Sequence, residues 1–235
     1  MPKLHRKRSL LAKIESSYNT DPTATGSANY VEVVDLEIEP VASDEVEQET
    51  IRPYAGNYPV LLANTRVNLS FGVFMVGSGA AGTAPKYDPI LKACGLSANT
   101  VSSTSVTYTP STLASQDSCT FYVNYDGVRH KVTGARGTFS ISCAVNEIPR
   151  INFEMQGIFN TPTDTALPTV TKSLQPDPVL FKNGNTSSFS VFGFSAALQS
   201  WELDFANEVI YRELVGGTKE ALITDRRPSG TMVIE

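Results

Sequence analysis

Hydrophobic and polar positions alternate with a period of two over much of the chain, the spacing of strands that bury one face and wet the other. Val67, Leu69, Phe71, Val73 and Met75 alternate strictly and predict a strand. Cys119, Phe121 and Val123 predict a second, which Asp126-Gly127 joins to a return through Val128, His130 and Val132. That dipeptide tolerates the positive φ of a tight hairpin. Phe139, Ile141 and Cys143, then Ile151, Phe153, Met155 and Ile158, add two strands about a turn near Asn146-Glu147. Val106 with Tyr108, Phe189 to Phe194 with a bulge at Gly193, Trp201 to Phe205, Val209 to Tyr211 and Leu222 to Val233 complete the strands. One short helix is expected over about residues 86–95: Asp88 caps it, Pro89 suits its first turn, Ile90, Leu91 and Cys94 share a face, and Gly95 ends it.

Between these elements the pattern loosens. Residues 16–29 are small, polar and broken by Pro22 and Gly26, which predicts a flexible link between an N-terminal arm (1–29) and the body (30–235). From Tyr30, Val31, Val33, Leu36 and Ile38 sit among Glu32, Asp35, Glu37 and Glu39, as in a strand with one wet face, with a phase slip at Val33-Val34 that suggests a β-bulge. A second acidic stretch, Ser43 to Ile51, follows Pro40 and is placed to pair back on the first as a hairpin. Residues 52–64 and 160–187 are proline-rich and predict long loops, because proline removes ladder donors. The expected fold is mainly β and antiparallel in style.

Composition narrows the function. At 235 residues and 25.4 kDa the chain fits one β domain with appendages, and 41% hydrophobic residues suffice for a core. A formal net charge of -5 argues against gripping nucleic acid by phosphate neutralisation. Cys94, Cys119 and Cys143 form no CxxC pair and read as small buried hydrophobes, with Cys119 and Cys143 able to meet only if their strands are neighbours. The basic N-terminus around Lys3, His5, Arg6, Lys7 and Arg8 precedes an apolar stretch that breaks at Lys13, too short for a signal peptide. No apolar run approaches the roughly 20 residues of a spanning helix, so no membrane role is expected.

Candidate chemistry is thin. Gly77-Ser78-Gly79-Ala80-Ala81-Gly82 matches a dinucleotide-binding fingerprint literally, yet Thr83, Ala84 and Pro85 separate it from the helix, and no acid follows between Asp88 and Asp117 to hold a ribose. Only His5 and His130 are present, which disfavours a histidine metal site or proton relay. Paired acids such as Glu37 and Glu39 could serve a glycan-cleaving enzyme, but acids on a wet strand face are usually solvated. Tyr122, Tyr125, Phe189, Phe194 and Trp201 could form a base-stacking or sugar-binding face, and on strands such residues more often make core or subunit contacts. No catalytic, metal or cofactor site is expected.

The charge distribution is the unusual feature. Glu32, Asp35, Glu37, Glu39, Asp44, Glu45, Glu47 and Glu49 fall in one stretch without Lys or Arg, although like charges across paired strands repel. Solubility explains this, and so does a surface that faces a polyanion without sticking to it.

Several stretches in order resemble the phage major tail tube proteins of long-tailed bacteriophages: SLLAKIESSYNTDPTATG, YDPILKACGLS, GVRHKVTGARGTFSI, FEMQGIF, ELDFANEVIYRE and ALITDRRPSGT. Many relatives are expected to continue with further strands beyond the last of these. The resemblance implies an antiparallel β-sandwich or open barrel flanked by one helix, a virion structural protein and no enzyme. It further implies hexameric rings of this chain, stacked into a tube whose lumen passes DNA without specific binding, made in the host cytoplasm. Tape measure, tail terminator and distal tail proteins are the other implied partners. Candidate lumen-facing acids are Glu32, Asp35, Glu37, Glu39, Glu45, Glu47 and Glu49; candidate subunit contacts are Arg52, Tyr54, Tyr58, Leu61, Leu62, Leu180 and Phe181. The arm and the two long loops are expected to order only on assembly. A carbohydrate- or receptor-binding module of a tail tip, using the aromatic face, is the alternative, with a cell-wall glycan hydrolase behind it.

Overall fold

The structure, a computed structural model, describes residues 4, 6–186 and 189–235; Lys3, His5 and the last residue of the expected loop 160–187 lie outside them. The chain begins with β1 (Arg8–Ile14), a single helical turn α1 (Gly26–Asn29), and β2 (Tyr30–Val31). Two long strands follow, β3 (Val34–Glu47) and β4 (Val60–Phe74), then helix α2 (Asp88–Ala93) and the hairpin β5 (Leu96–Val101) and β6 (Ser105–Pro110). Next come β7 (Cys119–Tyr125), β8 (Val128–Ala144), β9 (Arg150–Phe159) and the two-residue β10 (Thr163–Asp164). Last are β11 (Leu198–Asp204), β12 (Asn207–Glu213), β13 (Lys219–Arg226) and β14 (Ser229–Ile234).

Ten of these strands form one antiparallel sheet: seven run in the order β2-β1-β7-β8-β9-β4-β3, β10 and β11 pair with β8, and β14 pairs with β11. The sheet curls into an open barrel, which brings β1 to β3 at the hydrogen bond from Arg8 to Leu36 O. Its spine is β8. The first half of β8 pairs with β7, its second half with β11 on the same border, and β9 runs along the other. A register shift between Thr133 and Arg136, with Gly134 at φ +60°, bends the strand so that it can serve both halves. β14 continues the sheet beyond β11.

Alternation sends one row of side chains into the barrel. Phe71 lies between Phe121 and Phe153, at centroid distances of 5.9 and 5.5 Å, and Phe139 stacks on Phe205 at 4.7 Å. Ile90 and Leu91 of α2 and its C-cap residue Cys94 pack on this cluster. Burying each of the larger side chains is worth about 2–3 kcal/mol.

Several elements depart from the sequence expectations. The N-terminal segment is not a free arm: β1 lies between β2 and β7, with Leu10 in the main core and Leu11 in a second cluster with Ala24 and Tyr122. Glu15, just after it, is buried and accepts hydrogen bonds from Ser118 Oγ, Thr120 Oγ1, Gly134 N and Asn19 N. The two acidic stretches are one strand, β3, paired throughout with β4 rather than with each other. The slip expected at Val33-Val34 falls one step later, as a register shift between Val34 and Glu37 with Asp35 at φ +52°. Residues 60–64 belong to β4, so the excursion is shorter than expected. The segments about Val128 and Phe139 are one strand, and 189–194 holds only an isolated bridge from Val191 to Phe194 with Phe192 and Gly193 at positive φ. Helix α2 forms as predicted, but Tyr87 occupies the cap; Asp88 sits one position in, paired with Lys92 at 2.8 Å and accepting from Tyr108 Oη.

Candidate functional site

The outward face of the sheet is polar, because every second residue of four adjacent strands is hydrophilic. Glu37 of β3 is opposite Ser70 of β4, Ser70 is opposite Glu154 of β9, and Glu154 is opposite Thr138 of β8. The next rung runs Glu39, Asn68, Gln156, with Asn68 Nδ2 donating to Glu39 Oε2 at 2.6 Å and Gln156 Nε2 donating to Asn68 Oδ1 at 3.2 Å. These residues line a groove of about 580 Å³. On β11, Asp204 opposite Ser140 and Glu202 opposite Ser142 carry the acidic row further. Glu37, Glu39, Glu154, Glu202 and Asp204 are all exposed. Arg136 stands opposite Gln156 in the ladder but is buried and bonded to backbone carbonyls, so it does not neutralise the row.

The seven acids singled out from the sequence therefore divide. Only Glu37 and Glu39 share the groove. Glu32 pairs with Lys172 at 3.1 Å, and Asp35 with Arg150 at 3.0 Å. Glu45 and Glu47 lie opposite Leu62 and Val60, where the β3–β4 ribbon extends past the end of β9, and Glu49 is in the loop beyond. Nearby, hydrogen bonds from Asn64 and Arg66 hold the Asp44 carboxyl below the usual aspartate range. Glu154, Glu202 and Asp204 were not foreseen; their signal was the polar phase of their own strands.

The seven candidate contact residues also form two groups. Arg52, Tyr54, Tyr58, Leu61 and Leu62 gather at the tip of the ribbon, with the Arg52 guanidinium 5.9 and 5.5 Å from the Tyr54 and Tyr58 rings. Leu61 and Leu62 are 55% and 59% exposed. Leu180 and Phe181 lie at the other end of the same strands, where Phe181 exchanges backbone hydrogen bonds with Asn146 and Glu147 of the β8–β9 turn. Val179 and Leu180 are exposed beside them.

The glycine-rich loop has a structural role. Ser78 Oγ bonds the carbonyls of Ala80 and Thr83, and a side chain at Gly82 would collide with the backbone of 101–104, so the loop packs on the β5–β6 turn. All three cysteines are free and buried; Cys119 is opposite Ala135 and Cys143 opposite Trp201, so they do not meet. Burial pushes the Cys94 and Cys119 thiols well above their ordinary range. No helix among the described residues is long and apolar enough to cross a membrane.

A family model described as phage tail tube protein matches residues 6–235. The chain belongs to this family. It is therefore a structural component of a virion tail, with a tail tube role. Stretches that carry the resemblance build the tail tube core: LLAKI is in β1, DPILKA is α2, FEMQGIF is in β9, and GVRHKVTGARGTFSI spans the bent spine β8. Comparison with curated proteins gives no match. Among solved structures, the tube-terminating cap of the anti-feeding prophage, determined by cryo-electron microscopy, is similar at 12% identity and a TM-score of 0.42, over 70% of this chain and 93% of that one.

Proposed function

We propose that copies of this chain assemble into hexameric rings, that the rings stack into a tube, and that the tube passes phage DNA during ejection. The number six is what the tail tube resemblance implies. The observation that carries the reading is the two-sided sheet: one face is the packed core, and the other, where the β12–β13 hairpin leaves it uncovered, is polar with Glu37, Glu39, Glu154, Glu202 and Asp204 exposed on it. Turned toward a channel, this surface would repel phosphates and deny them the counter-charges that would slow a moving duplex.

Bare apolar surface at opposite ends of β4 and β9 supports stacking. The ribbon tip with Tyr54, Leu61 and Leu62 lies at one end and Val179 and Leu180 at the other, so a tip from one ring can cover the far end of the next in a head-to-tail contact. The tape measure protein would occupy the channel during assembly, with terminator and distal tail proteins at the tube's ends.

Phage carrying Glu37→Lys, Glu39→Lys and Glu154→Lys together test the channel. Normal tubes in electron micrographs with slowed or arrested DNA release are expected. Normal ejection kinetics from such particles would refute the lumen assignment.

A further inference from the structure

Beyond Phe181, whose backbone is fastened to Asn146 and Glu147, residues 182–186 (KNGNT) fold back on themselves. The N–H groups of Asn185 and Thr186 both donate to Lys182 O, at 3.1 and 3.0 Å, and an isolated bridge joins Asn183 to Thr186. Two asparagines sit in this exposed turn, and they differ. Asn185 is held, because its Nδ2 donates to Leu180 O at 2.9 Å, and the β-branched Thr186 follows it. Among the described residues the Asn183 side chain makes no hydrogen bond, and Gly184 follows it. A Cβ added at Gly184 would meet nothing within 4 Å, so the turn is open to water.

We propose that Asn183 is a modification site, where the side-chain amide is lost as ammonia and replaced by a carboxylate without any enzyme. The Gly184 nitrogen gives up its proton to water and attacks Cγ of Asn183. The bond from Cγ to the side-chain nitrogen breaks, ammonia leaves, and a five-membered cyclic imide remains. Water then opens the ring: addition at Cγ yields aspartate, and addition at the backbone carbonyl yields isoaspartate. Asparagine plus water thus gives an acid plus ammonia, with no oxidant or cofactor. The attack needs a following residue that does not crowd the nitrogen. Asn183 is the one asparagine of the chain that glycine follows; the others precede threonine, leucine, glutamate, tyrosine or phenylalanine.

Both products change this end of the molecule. Aspartate adds a negative charge beside the bare Val179 and Leu180. Isoaspartate also inserts an extra atom into the main chain between Lys182 O and its two donors. The site does not depend on the tube, but its consequence rests on the stacking contact proposed above. There the next ring's tip covers this end, so free copies age at Asn183, aged copies stack poorly, and assembled copies are sheltered.

The test incubates the full chain, free and as tubes, beside a synthetic peptide of residues 180–186 in warm, mildly alkaline buffer. Mass spectrometry of digests follows each asparagine and separates aspartate from isoaspartate. In the free chain Asn183 is expected to convert within about tenfold of the peptide's rate, the turn adding no more than about 1.4 kcal/mol to the barrier. Asn185 is expected to be at least about tenfold slower, and Asn183→Gln to abolish the reaction at this position. Slower conversion of Asn183, or equal conversion of Asn185, would overturn the site. In tubes Asn183 is expected to convert at least about tenfold more slowly than in the free chain, and Asn183→Asp to shorten the tubes. Equal rates in both states, or full-length tubes from Asn183→Asp, would overturn the shelter and the stacking effect while leaving the modification site standing.

Discussion

Arg136 holds its guanidinium carbon 4.6 Å from the centre of the Tyr18 ring, and the Tyr18 hydroxyl accepts the backbone N–H of Ala221. The same guanidinium donates to the carbonyls of Gln116 and Ala221 at 2.7 Å each and of Asp117 at 3.2 Å. One buried cation thus ties the bend of β8 to the segment after β1, to the entry of β7 and to β13. Arg136→Ala strands three acceptors and is expected to cost about 3 kcal/mol, measured as a shift in the urea midpoint. Arg136→Lys should recover less than half of that, because an ammonium cannot reproduce the planar fork.

Asp21 supplies a pH dependence with a defined sign. Burial works against its carboxylate, but hydrogen bonds from the Tyr122 hydroxyl, Thr23 N–H and Lys131 outweigh it and hold the pKa below the ordinary aspartate value. A depressed folded-state pKa contributes stability that is present above the unfolded pKa of roughly 3.9 and is lost as pH falls through the folded value. Asp21→Asn should therefore lower stability at pH 7 by about 1 kcal/mol, the discount reflecting its partial exposure, and flatten the acid limb below about pH 4. Thermal melts from pH 2 to 7 on both chains would show it; parallel curves would contradict the assignment.

Strand contact at Gly137 leaves no space for a methyl group. A Cβ there would lie 2.1 Å from Glu154 O and 2.5 Å from Met155 Sδ. Gly137→Ala is expected to destabilise by about 2–3 kcal/mol as β8 and β9 are pushed apart. Gly77→Ala, in open space at ordinary φ, should stay within about 0.5 kcal/mol of the parent in the same denaturation experiment.

In the assembly proposed above, stacking and ring closure should be separable. Leu61→Asp with Leu62→Asp places charge on the exposed ribbon tip, away from the core. Melting temperature should change by no more than about 2 °C. Electron micrographs should then show single rings in place of tubes, and long tubes would remove the tip from the stacking contact.

The strands legible in the sequence were those with one wet and one dry face. β4 and β9 show it plainly; β7 alternates in residue type although both its faces are buried, and Asp126-Gly127 marked the β7–β8 turn. β1 hid because Leu10 and Leu11 are buried on opposite faces, which erases alternation. β8 read as two strands because its bend at Gly134 resets the phase, and β3 looked weak because a border ribbon past β9 has little to bury. Apolar spacing over 189–194 imitated a strand where two successive positive φ angles make a turn. Of the acidic face, Glu37 and Glu39 stood out within a charge run; Glu154, Glu202 and Asp204 are single acids whose company appears only when the strands are laid side by side.

The outer border of the sheet is closed by a side chain. At β2 the amide of Gln175 stands in for a missing strand: its oxygen accepts Glu32 N–H at 2.7 Å and its nitrogen donates to Tyr30 O at 3.3 Å. If copies add sideways, as the ring reading requires, addition at this border would compete with it. Gln175, held across β2, occupies the Glu32 N–H and the Tyr30 carbonyl, two backbone groups that a strand of another chain would otherwise find free.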